Sequence, residues 1–255
     1  MLTDCHAHVY HSTEVIPGAR YRPAAPAPLS DWLALRAASG VGGGVLVQPS
    51  FFGTDNRQML DLLATLDPAR VRGVAVVDLS AGSGMLEDLH RAGVRGLRWN
   101  CVQGAALPDP AERGVADFLG RIAEAGLHLE LHLEEGRLCD YLPVLLPRVP
   151  RLVVDHFGLP RGARPVWQQA IPAGQEGRVF VKLSAPYRGG AAPDPGAAVA
   201  ALAERIPADH MVWGSDWPWT RHEAGRDYAA LATQAAGWTE MGADIAAGAR
   251  TLYGL

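Results

Sequence analysis

Two reactive residue types are scarce in this sequence. Among its 255 residues there is one lysine, Lys182, and there are three cysteines, Cys5, Cys101 and Cys139. Neither the number nor the spacing of the cysteines fits a disulfide framework or a cysteine-based zinc site. Each cysteine is therefore expected to be a small buried hydrophobe, and a reducing cytoplasm is the expected location of the chain.

Long apolar runs and a strong charge of one sign are also missing. No run approaches the roughly 20 residues of a membrane span, and the N-terminus leads directly into a strand that carries Asp4 and His6. Neither a membrane anchor nor a signal peptide is therefore expected. The net charge of −4 gives no reason to expect nucleic acid or an anionic membrane as a partner.

Strand-like and helical patterns alternate along the whole chain. The predicted strands are Leu2–His8, Gly44–Gln48, Arg72–Asp78, Gly93–Trp99, Leu127–Glu134, Arg151–His156, Arg178–Ser184 and Met211–Asp216. The predicted amphipathic helices between them include Leu29–Ala38, Asn56–Leu66, Gly84–Ala92, Gly114–Ala125 and Ala197–Arg205. Proline- and glycine-rich loops are predicted at His11–Pro28, Gly158–Pro165 and Pro186–Pro195, and Arg226–Leu255 is predicted to be helical and to close the structure.

Eight β/α units in about 250 residues favour an α/β fold of one distorted (β/α)8 TIM barrel over an open doubly wound sheet. A glycine-rich dinucleotide fingerprint would support the open sheet, and none follows the first strand. Length alone also allows two domains, but no linker-like segment divides the chain. A single domain over residues 1–255 is therefore predicted.

The fifth predicted strand sets the inward face of the barrel. Leucines alternate with His128, Glu130 and His132, and because apolar side chains must meet the outer helices, these three residues are expected to point inward. Lys182 is then expected to form a structural ion pair with Glu130, with a Schiff-base role as the alternative. The same alternation predicts that Asp4, His6 and His8 share one face. It also makes Ser50, Arg98, His156, Lys182, Ser184 and Asp216 inward candidates on their own strands.

Barrel enzymes carry their chemistry at the C-terminal ends of the strands. Those ends here carry His6, His8, Ser50, Arg98, His132, His156, Ser184, Arg188 and Asp216. Each residue has an ordinary structural role open to it, such as a core histidine for His156 or a turn cap for Asp216. Their joint occurrence at successive strand ends predicts one site at the barrel mouth.

Two chemistries are open to these residues. His6, His8, His132 and Asp216 could hold a divalent metal, zinc above all, which would lower the pKa of a bound water to about 7. Without metal, Asp216 could take a proton from water while the imidazoles polarise a carbonyl. Both predict hydrolytic attack on an activated carbonyl, so none or one divalent metal is the expected cofactor.

Arginines at the same end indicate the charge of the substrate. The planar guanidinium matches a carboxylate, so Arg98 and Arg188, on or against strand ends, predict a small anionic substrate. Tyr21 is expected to line the same pocket. The loop arginines Arg20, Arg22, Arg161 and Arg164 fit equally well as a solvated rim.

Several short motifs occur together in a fixed order. They are Asp4-Cys5-His6-Ala7-His8-Val9, Tyr21-Arg22-Pro23, Val47-Gln48-Pro49-Ser50, Gly53-Thr54-Asp55-Asn56, Gly96-Leu97-Arg98, Asp155-His156-Phe157-Gly158, Lys182-Leu183-Ser184 with Arg188, and Trp213-Gly214-Ser215-Asp216-Trp217-Pro218. The ordered set resembles the amidohydrolase superfamily over nearly the whole chain. Within it, the set resembles the branch that contains 2-pyrone-4,6-dicarboxylate lactonase and related sugar lactonases.

The resemblance implies a lactonase that opens the ring of a small carboxylated or sugar-acid substrate without metal. It implies that Asp216 is the general base and that His6, His8 and His156 bind or polarise the lactone carbonyl. It also implies that Tyr21, Ser50, Arg98 and Arg188 hold substrate carboxylates.

Two departures from the family pattern stand out. His132 replaces a tyrosine and resembles a ligand of the zinc-dependent relatives, which is why it is a candidate for substrate or metal binding. No second arginine follows Arg98, since residues 100–104 read Asn-Cys-Val-Gln-Gly. The alternatives are a zinc-dependent decarboxylase or amide hydrolase with His156 as acid/base, and a non-catalytic barrel that binds an anionic metabolite.

Overall fold

The computed structural model describes residues 1–189 and 194–255, so the predicted loop Pro186–Pro195 lies partly outside the described residues. Eight strands form one sheet in sequence order, and each pairs in parallel with the next. They are β1 Thr3–Ala7, β2 Gly43–Val47, β3 Val71–Ala75, β4 Val94–Asn100, β5 His128–His132, β6 Leu152–Val154, β7 Val179–Ser184 and β8 Met211–Gly214. The predicted (β/α)8 barrel is confirmed.

Helices cover the outside of this sheet. They are α1 Leu29–Ala38, α2 Arg57–Thr65, α3 Ser83–Arg91, α4 Arg113–Glu124, α5 Glu135–Leu145, α6 Pro195–Ala203, α7 Tyr228–Ala236 and α8 Ile245–Tyr253. None of the helices in the described ranges is both long enough and apolar enough to cross a bilayer. The predicted C-terminal helical segment is two helices, because Gly242 adopts a left-handed φ of 97° and Asp244 caps a new start by accepting a hydrogen bond from Ala247 N.

Backbone hydrogen bonds beyond the strand ends join β1 to β8 and bring the barrel almost to closure. Asp216 N donates to the carbonyl of His6 at 2.8 Å, and His8 N donates to the carbonyl of Trp217 at 2.8 Å. The two segments that carry the predicted imidazoles and carboxylate are therefore fixed side by side.

The barrel interior has an apolar layer under a charged layer. The apolar layer is formed by Cys5, Val45, Val47, Val74, Val153, Phe180 and Val212 together with Ala249, Leu252 and Tyr253. Above it, Lys182 Nζ lies 2.6 Å from Glu130 Oε2, which confirms the predicted ion pair. His128, Glu130 and His132 are all buried, as the alternation of β5 predicts, while the intervening leucines pack in the cluster shared with the helices.

One orientation prediction is wrong. Asp4 does not share the face of His6 and His8, because the pairing register of β1 shifts between Asp4 and Ala7. The Asp4 carboxylate instead accepts hydrogen bonds from Trp32 Nε1 on α1 at 2.9 Å and from Tyr228 OH on α7 at 2.9 Å. Asp4 therefore joins the strand to the outer helices and takes no part in the mouth.

Candidate active site

A cavity of about 370 Å3 opens at the C-terminal end of the barrel. Of the residues predicted for the site, His8, Tyr21, Ser50, Arg98, His132, His156, Arg188 and Asp216 line it. His6 lies directly beneath, fully buried, with its ring centroid 5.0 Å from that of His8 and 4.7 Å from that of His156. The described structure thus brings the predicted side chains to one place.

Asp216 lies at the centre of this group, held by a backbone with φ 58° just after β8. Its Oδ1 atom faces three imidazole nitrogens: His8 Nε2 at 3.7 Å, His6 Nε2 at 3.8 Å and His156 Nε2 at 3.9 Å. None of these separations is a hydrogen bond. They enclose a space of the size that one reacting atom, one water or one cation would fill.

The other carboxylate oxygen is fully engaged. Asp216 Oδ2 accepts hydrogen bonds from Tyr187 OH and from Arg188 Nε, both at 2.7 Å. Burial opposes ionisation of Asp216, but the Arg188 guanidinium and the imidazoles of His156, His6 and His8 together outweigh it and hold the pKa of this carboxyl well below its usual range. Asp216 is therefore a carboxylate at neutral pH.

The four imidazoles are neutral. Burial is the first cause in each case, and it lowers the pKa of His8 to about 3 and the pKa values of His6, His132 and His156 below the usual range for histidine. Neighbouring cations act in the same direction, with Lys182 next to His6 and Arg98 next to His132. Each ring therefore offers one N–H donor and one lone pair.

Hydrogen bonds at the Nδ1 atoms orient three of these rings. His8 Nδ1 lies 2.8 Å from the Val47 carbonyl, and His156 Nδ1 lies 2.8 Å from Ser184 Oγ. His132 Nδ1 lies 3.0 Å from Arg98 Nη2. The Nε2 atoms of His8 and His156 consequently point toward Asp216.

Arg98 is tied to the buried layer below the mouth. Its Nε donates to Asp155 Oδ2 at 2.7 Å, and the side chain is only 4% exposed. Arg188 is the more accessible of the two predicted arginines, at 21%. Tyr21 and Ser50 also line the cavity, and Tyr21 OH lies 3.2 Å from Ser50 Oγ.

Two groups of side chains in the described ranges have the spacing to hold a metal ion, with one ligand atom from each residue and all atoms within 4.8 Å of one another. One is His6, His8 and Asp216, and the other is His6, Asp155 and His156. His6 Nε2, Asp216 Oδ1 and Asp155 Oδ1 are buried without a hydrogen-bond partner among the described residues. His132, the fourth residue of the predicted zinc set, belongs to neither group.

Several residues in or next to the site were not identified as site residues from the sequence. Asp155 is the most important, because it contacts Arg98 and lies 3.6 Å from His6 Nδ1. The predicted strand runs to His156 and places that histidine inward, which leaves Asp155 on the outer face. Alternation from the inward Val153 gives the orientation that Asp155 has in the structure. Tyr187 was also missed, although it directly precedes Arg188. No second arginine follows Arg98 in the sequence, and the residues after it that line the cavity are Asn100, Val102 and Gln103, together with Glu134.

The loop arginines divide into two that line the cavity and three that do not. Arg20 lines the cavity and donates from Nη1 to the Val102 carbonyl at 2.9 Å, and Arg221 lines it as well. Arg22 bonds the Thr13 carbonyl, and Arg164 pairs with Glu204, both away from the cavity. Arg161 also lies outside the lining.

Comparison with known proteins places this geometry in a family. The amidohydrolase family model matches residues 3–255. The chain is 30% identical over 234 residues to a 2-pyrone-4,6-dicarboxylate hydrolase of Comamonas testosteroni, covering 84% of this chain and 76% of the relative. It is also 30% identical over 228 residues to a 4-sulfomuconolactone hydrolase of Rhizobium radiobacter, covering 84% and 75%.

A solved structure agrees with the sequence relatives. A Pseudomonas putida protein, assigned in its description as a 2-pyrone-4,6-dicarboxylic acid hydrolase, superposes with a TM-score of 0.84 at 35% identity. The match covers 99% of this chain and 97% of that one. Strand order, mouth residues and relatives agree, and the chain belongs to the amidohydrolase family.

Proposed function

We propose that this protein is a lactonase, a hydrolase that opens the ring of a small lactone carrying a carboxylate. The observation that carries the proposal is the environment of Asp216, whose Oδ1 faces three neutral imidazoles while its Oδ2 is bound to Arg188. The sequence relatives support the reaction class, since both hydrolyse compounds with an anionic group on a ring, according to their names.

In the proposed reaction, Asp216 acts on the attacking water and the histidines act on the lactone carbonyl. Asp216 accepts a proton from water as the water oxygen bonds to the lactone carbonyl carbon. Histidine N–H groups stabilise the negative charge that develops on the carbonyl oxygen. The ring C–O bond then breaks, the leaving oxygen takes up a proton, and the product is an open-chain acid.

Substrate binding activates the base in this scheme. A carboxyl whose pKa is held low by Arg188 is a weak base in the free protein. When a substrate carboxylate takes over the guanidinium of Arg188, Asp216 loses its strongest cationic neighbour and becomes more basic. Arg98, Tyr21, Ser50 and His132 are proposed to complete the substrate-binding wall.

A zinc-dependent amide hydrolase or decarboxylase is the second candidate, and the grouping of His6, His8 and Asp216 is the observation in its favour. His6, His8 and Asp216 would hold the ion without His132, and His156 would be the acid/base. The ion would supply Lewis acidity toward a carbonyl.

Asp216→Asn tests the base. A panel containing a pyrone dicarboxylate and a sulfonated muconolactone is followed by proton release. We expect the rate to fall by about 100-fold or more, because general-base catalysis contributes on this order, while calorimetric binding of the lactone persists. Asp61→Asn, at an exposed position on α2, is the matched control and should keep full activity. Full activity of Asp216→Asn would refute the assignment of Asp216 as the base. If the wild-type protein binds the lactones but does not hydrolyse them, the result would favour a non-catalytic barrel.

Metal analysis separates the two candidate enzymes. Stoichiometric zinc in the purified protein, lost together with activity on chelation, would contradict the metal-independent lactonase. Activity that is unchanged after chelation would contradict the zinc enzyme.

A further inference from the structure

Lys182 lies directly under the candidate site, fully buried, between Glu130 and the ring of His6. We infer that Lys182 is a positioning residue, which fixes His6 in the tautomer that carries its hydrogen on Nε2. His6 then enters the site as a hydrogen-bond donor and not as a metal ligand. The donor's use in lactone opening rests on the proposed function, but the tautomer and its effect on metal binding do not.

The hydrogens of the Lys182 ammonium determine the direction of its hydrogen bonds. An ammonium has three hydrogens and no lone pair, so every hydrogen bond it makes is a donation. Lys182 Nζ lies 2.6 Å from Glu130 Oε2 and 3.3 Å from His6 Nδ1. The Glu130 carboxylate forms the salt bridge to this ammonium. Nδ1 of His6 must therefore be the acceptor, and in a neutral ring the hydrogen is then on Nε2.

Asp155 is the competing partner of His6. Its Oδ1 lies 3.6 Å from His6 Nδ1, beyond hydrogen-bond distance, while Lys182 lies within it. Arg98 holds the other Asp155 oxygen at 2.7 Å. If Lys182 were absent, Asp155 Oδ1 would be the nearest acceptor for an Nδ1 hydrogen, and Nε2 of His6 would then carry the lone pair.

The arrangement is the reverse of the one found around metal ligands. A metal-binding histidine donates its second N–H to a carboxylate, a carbonyl or water, which leaves a lone pair on the ligating nitrogen. The nearest group to the second nitrogen of His6 is a cation. The distances among His6, His8 and Asp216 thus suit a divalent ion, but the hydrogen on His6 Nε2 does not.

The partners of Nδ1 also determine the tautomers of His8 and His132, and the two tautomers differ. His8 Nδ1 faces a carbonyl, which only accepts, so its hydrogen is on Nδ1 and its Nε2 has the lone pair. His132 Nδ1 faces Arg98, which only donates, so His132 carries its hydrogen on Nε2 as His6 does. Two Nε2 donors and one Nε2 lone pair suit a carbonyl oxygen and a water better than one cation.

Nitrogen NMR of the wild-type protein tests the tautomer directly. The protein is labelled with 15N-histidine at neutral pH without added metal, and the His6 signals are assigned as those missing from His6→Gln. We expect a pyridine-type Nδ1 and a pyrrole-type Nε2 for His6. The opposite pattern would overturn the inference. This result does not depend on turnover, so a failure of the lactonase proposal would be seen separately.

Zinc affinity of variants tests the role of Lys182. In Lys182→Met, we expect His6 to donate to Asp155 and zinc to bind about 10–100-fold more tightly, the range by which outer partners change metal affinity. Glu130→Gln disturbs the same buried cluster but keeps the lysine donor, and we expect its zinc affinity to match the wild type. Equilibrium dialysis against zinc measures all three proteins.

Equal zinc affinity of Lys182→Met and the wild type would overturn the inference, as would an equal rise in both variants, which would indicate general loosening. If Lys182→Met does not fold, the wild-type nitrogen spectrum decides alone.

Discussion

At the scale of single residues, Asp216 shows how one carboxylate can have two environments. Oδ2 accepts from a tyrosine and an arginine, whereas Oδ1 faces imidazole nitrogens beyond bonding distance. Oδ2 is therefore held by Tyr187 and Arg188, while Oδ1 has no hydrogen-bond partner among the described residues. The pKa of Tyr187 is raised well above its usual range, mainly by burial, so its OH remains a donor to Asp216.

Arg188→Ala should shift the pH dependence of the reaction. Removing the cation raises the pKa of Asp216, and because the base must be ionised, the acid limb of the kcat/KM profile should move to higher pH. KM for a carboxylated lactone should also rise. Arg22→Ala, which removes an arginine from the first loop outside the cavity, should leave both the profile and KM unchanged. A profile for Arg188→Ala that overlays the wild type would contradict the coupling.

The neighbouring pair Asp155 and His156 shows where sequence reasoning reached its limit. Alternation along β6 places Val153 and Asp155 inward, and a regular strand would turn His156 outward. His156 faces the cavity because its backbone adopts a left-handed φ of 53°. Its place at the mouth was predicted from the strand end, but local strain of this kind is decided by tertiary contacts and leaves no periodic signal.

At the scale of elements, the join between β1 and β8 depends on Asp4. This carboxylate binds Trp32 on α1, Tyr228 on α7 and both the backbone and the hydroxyl of Ser215 after β8, at distances from 2.7 to 2.9 Å. It therefore fixes two helices and two strand ends at one buried point.

Asp4→Ala should lower the free energy of unfolding by about 3 kcal/mol, since several buried donors lose their acceptor. Urea denaturation monitored by tryptophan fluorescence measures the change. Asp31→Ala removes a carboxylate from the exposed surface of α1 and should change stability by less than about 0.5 kcal/mol. Similar stabilities of the two variants would show that Asp4 is dispensable.

Gly214, at the end of β8, allows β1 to approach closely. A Cβ atom there would lie 2.5 Å from His6 Cβ and 3.0 Å from its backbone nitrogen. Gly214→Ala should therefore displace His6 and reduce kcat/KM by about 100-fold, as small misplacements of reacting groups do. Gly120→Ala, with open space around it on α4, should keep activity and gain up to about 1 kcal/mol of stability. Normal activity of Gly214→Ala would rule out the tight contact.

Regular elements were predictable and interrupted ones were not. The bounds of α1 match the prediction at both ends, and β5 follows the predicted alternation through His132. The shift in β1 turned Asp4 outward because a bulge changes the phase of alternation without changing composition. The break between α7 and α8 depends on Gly242 and a capping aspartate, which are local signals inside an otherwise helical segment.

At the scale of the whole molecule, the buried carboxylates make the free energy of unfolding depend on pH in the acid range. Burial opposes ionisation of Glu130, but Lys182 and His128 outweigh it and lower its pKa from 4.5 to about 2. A depressed native pKa stabilises the fold above the unfolded value and loses that contribution as pH falls toward the native value. The contribution of Glu130 should thus disappear between pH 4.5 and about 2.

Glu130→Gln should be less stable than the wild type at neutral pH but should lose less free energy of unfolding across this acid range. Asp155 and Asp216 keep part of the dependence, since their pKa values are lowered as well. Urea titrations at neutral pH and at about pH 3 measure the slope. Glu204→Gln, in an exposed ion pair, should follow the wild-type slope. An unchanged slope in Glu130→Gln would refute the role of the buried pair.

The chain's single ε-amine is enclosed at the centre of the barrel, and this makes it a chemical reporter of opening. An amine-acylating reagent cannot reach Lys182 while the strands stay paired, so the label enters only when the barrel opens. The rate at which mass spectrometry detects the acylated peptide would then give the frequency of that opening, without any engineered probe.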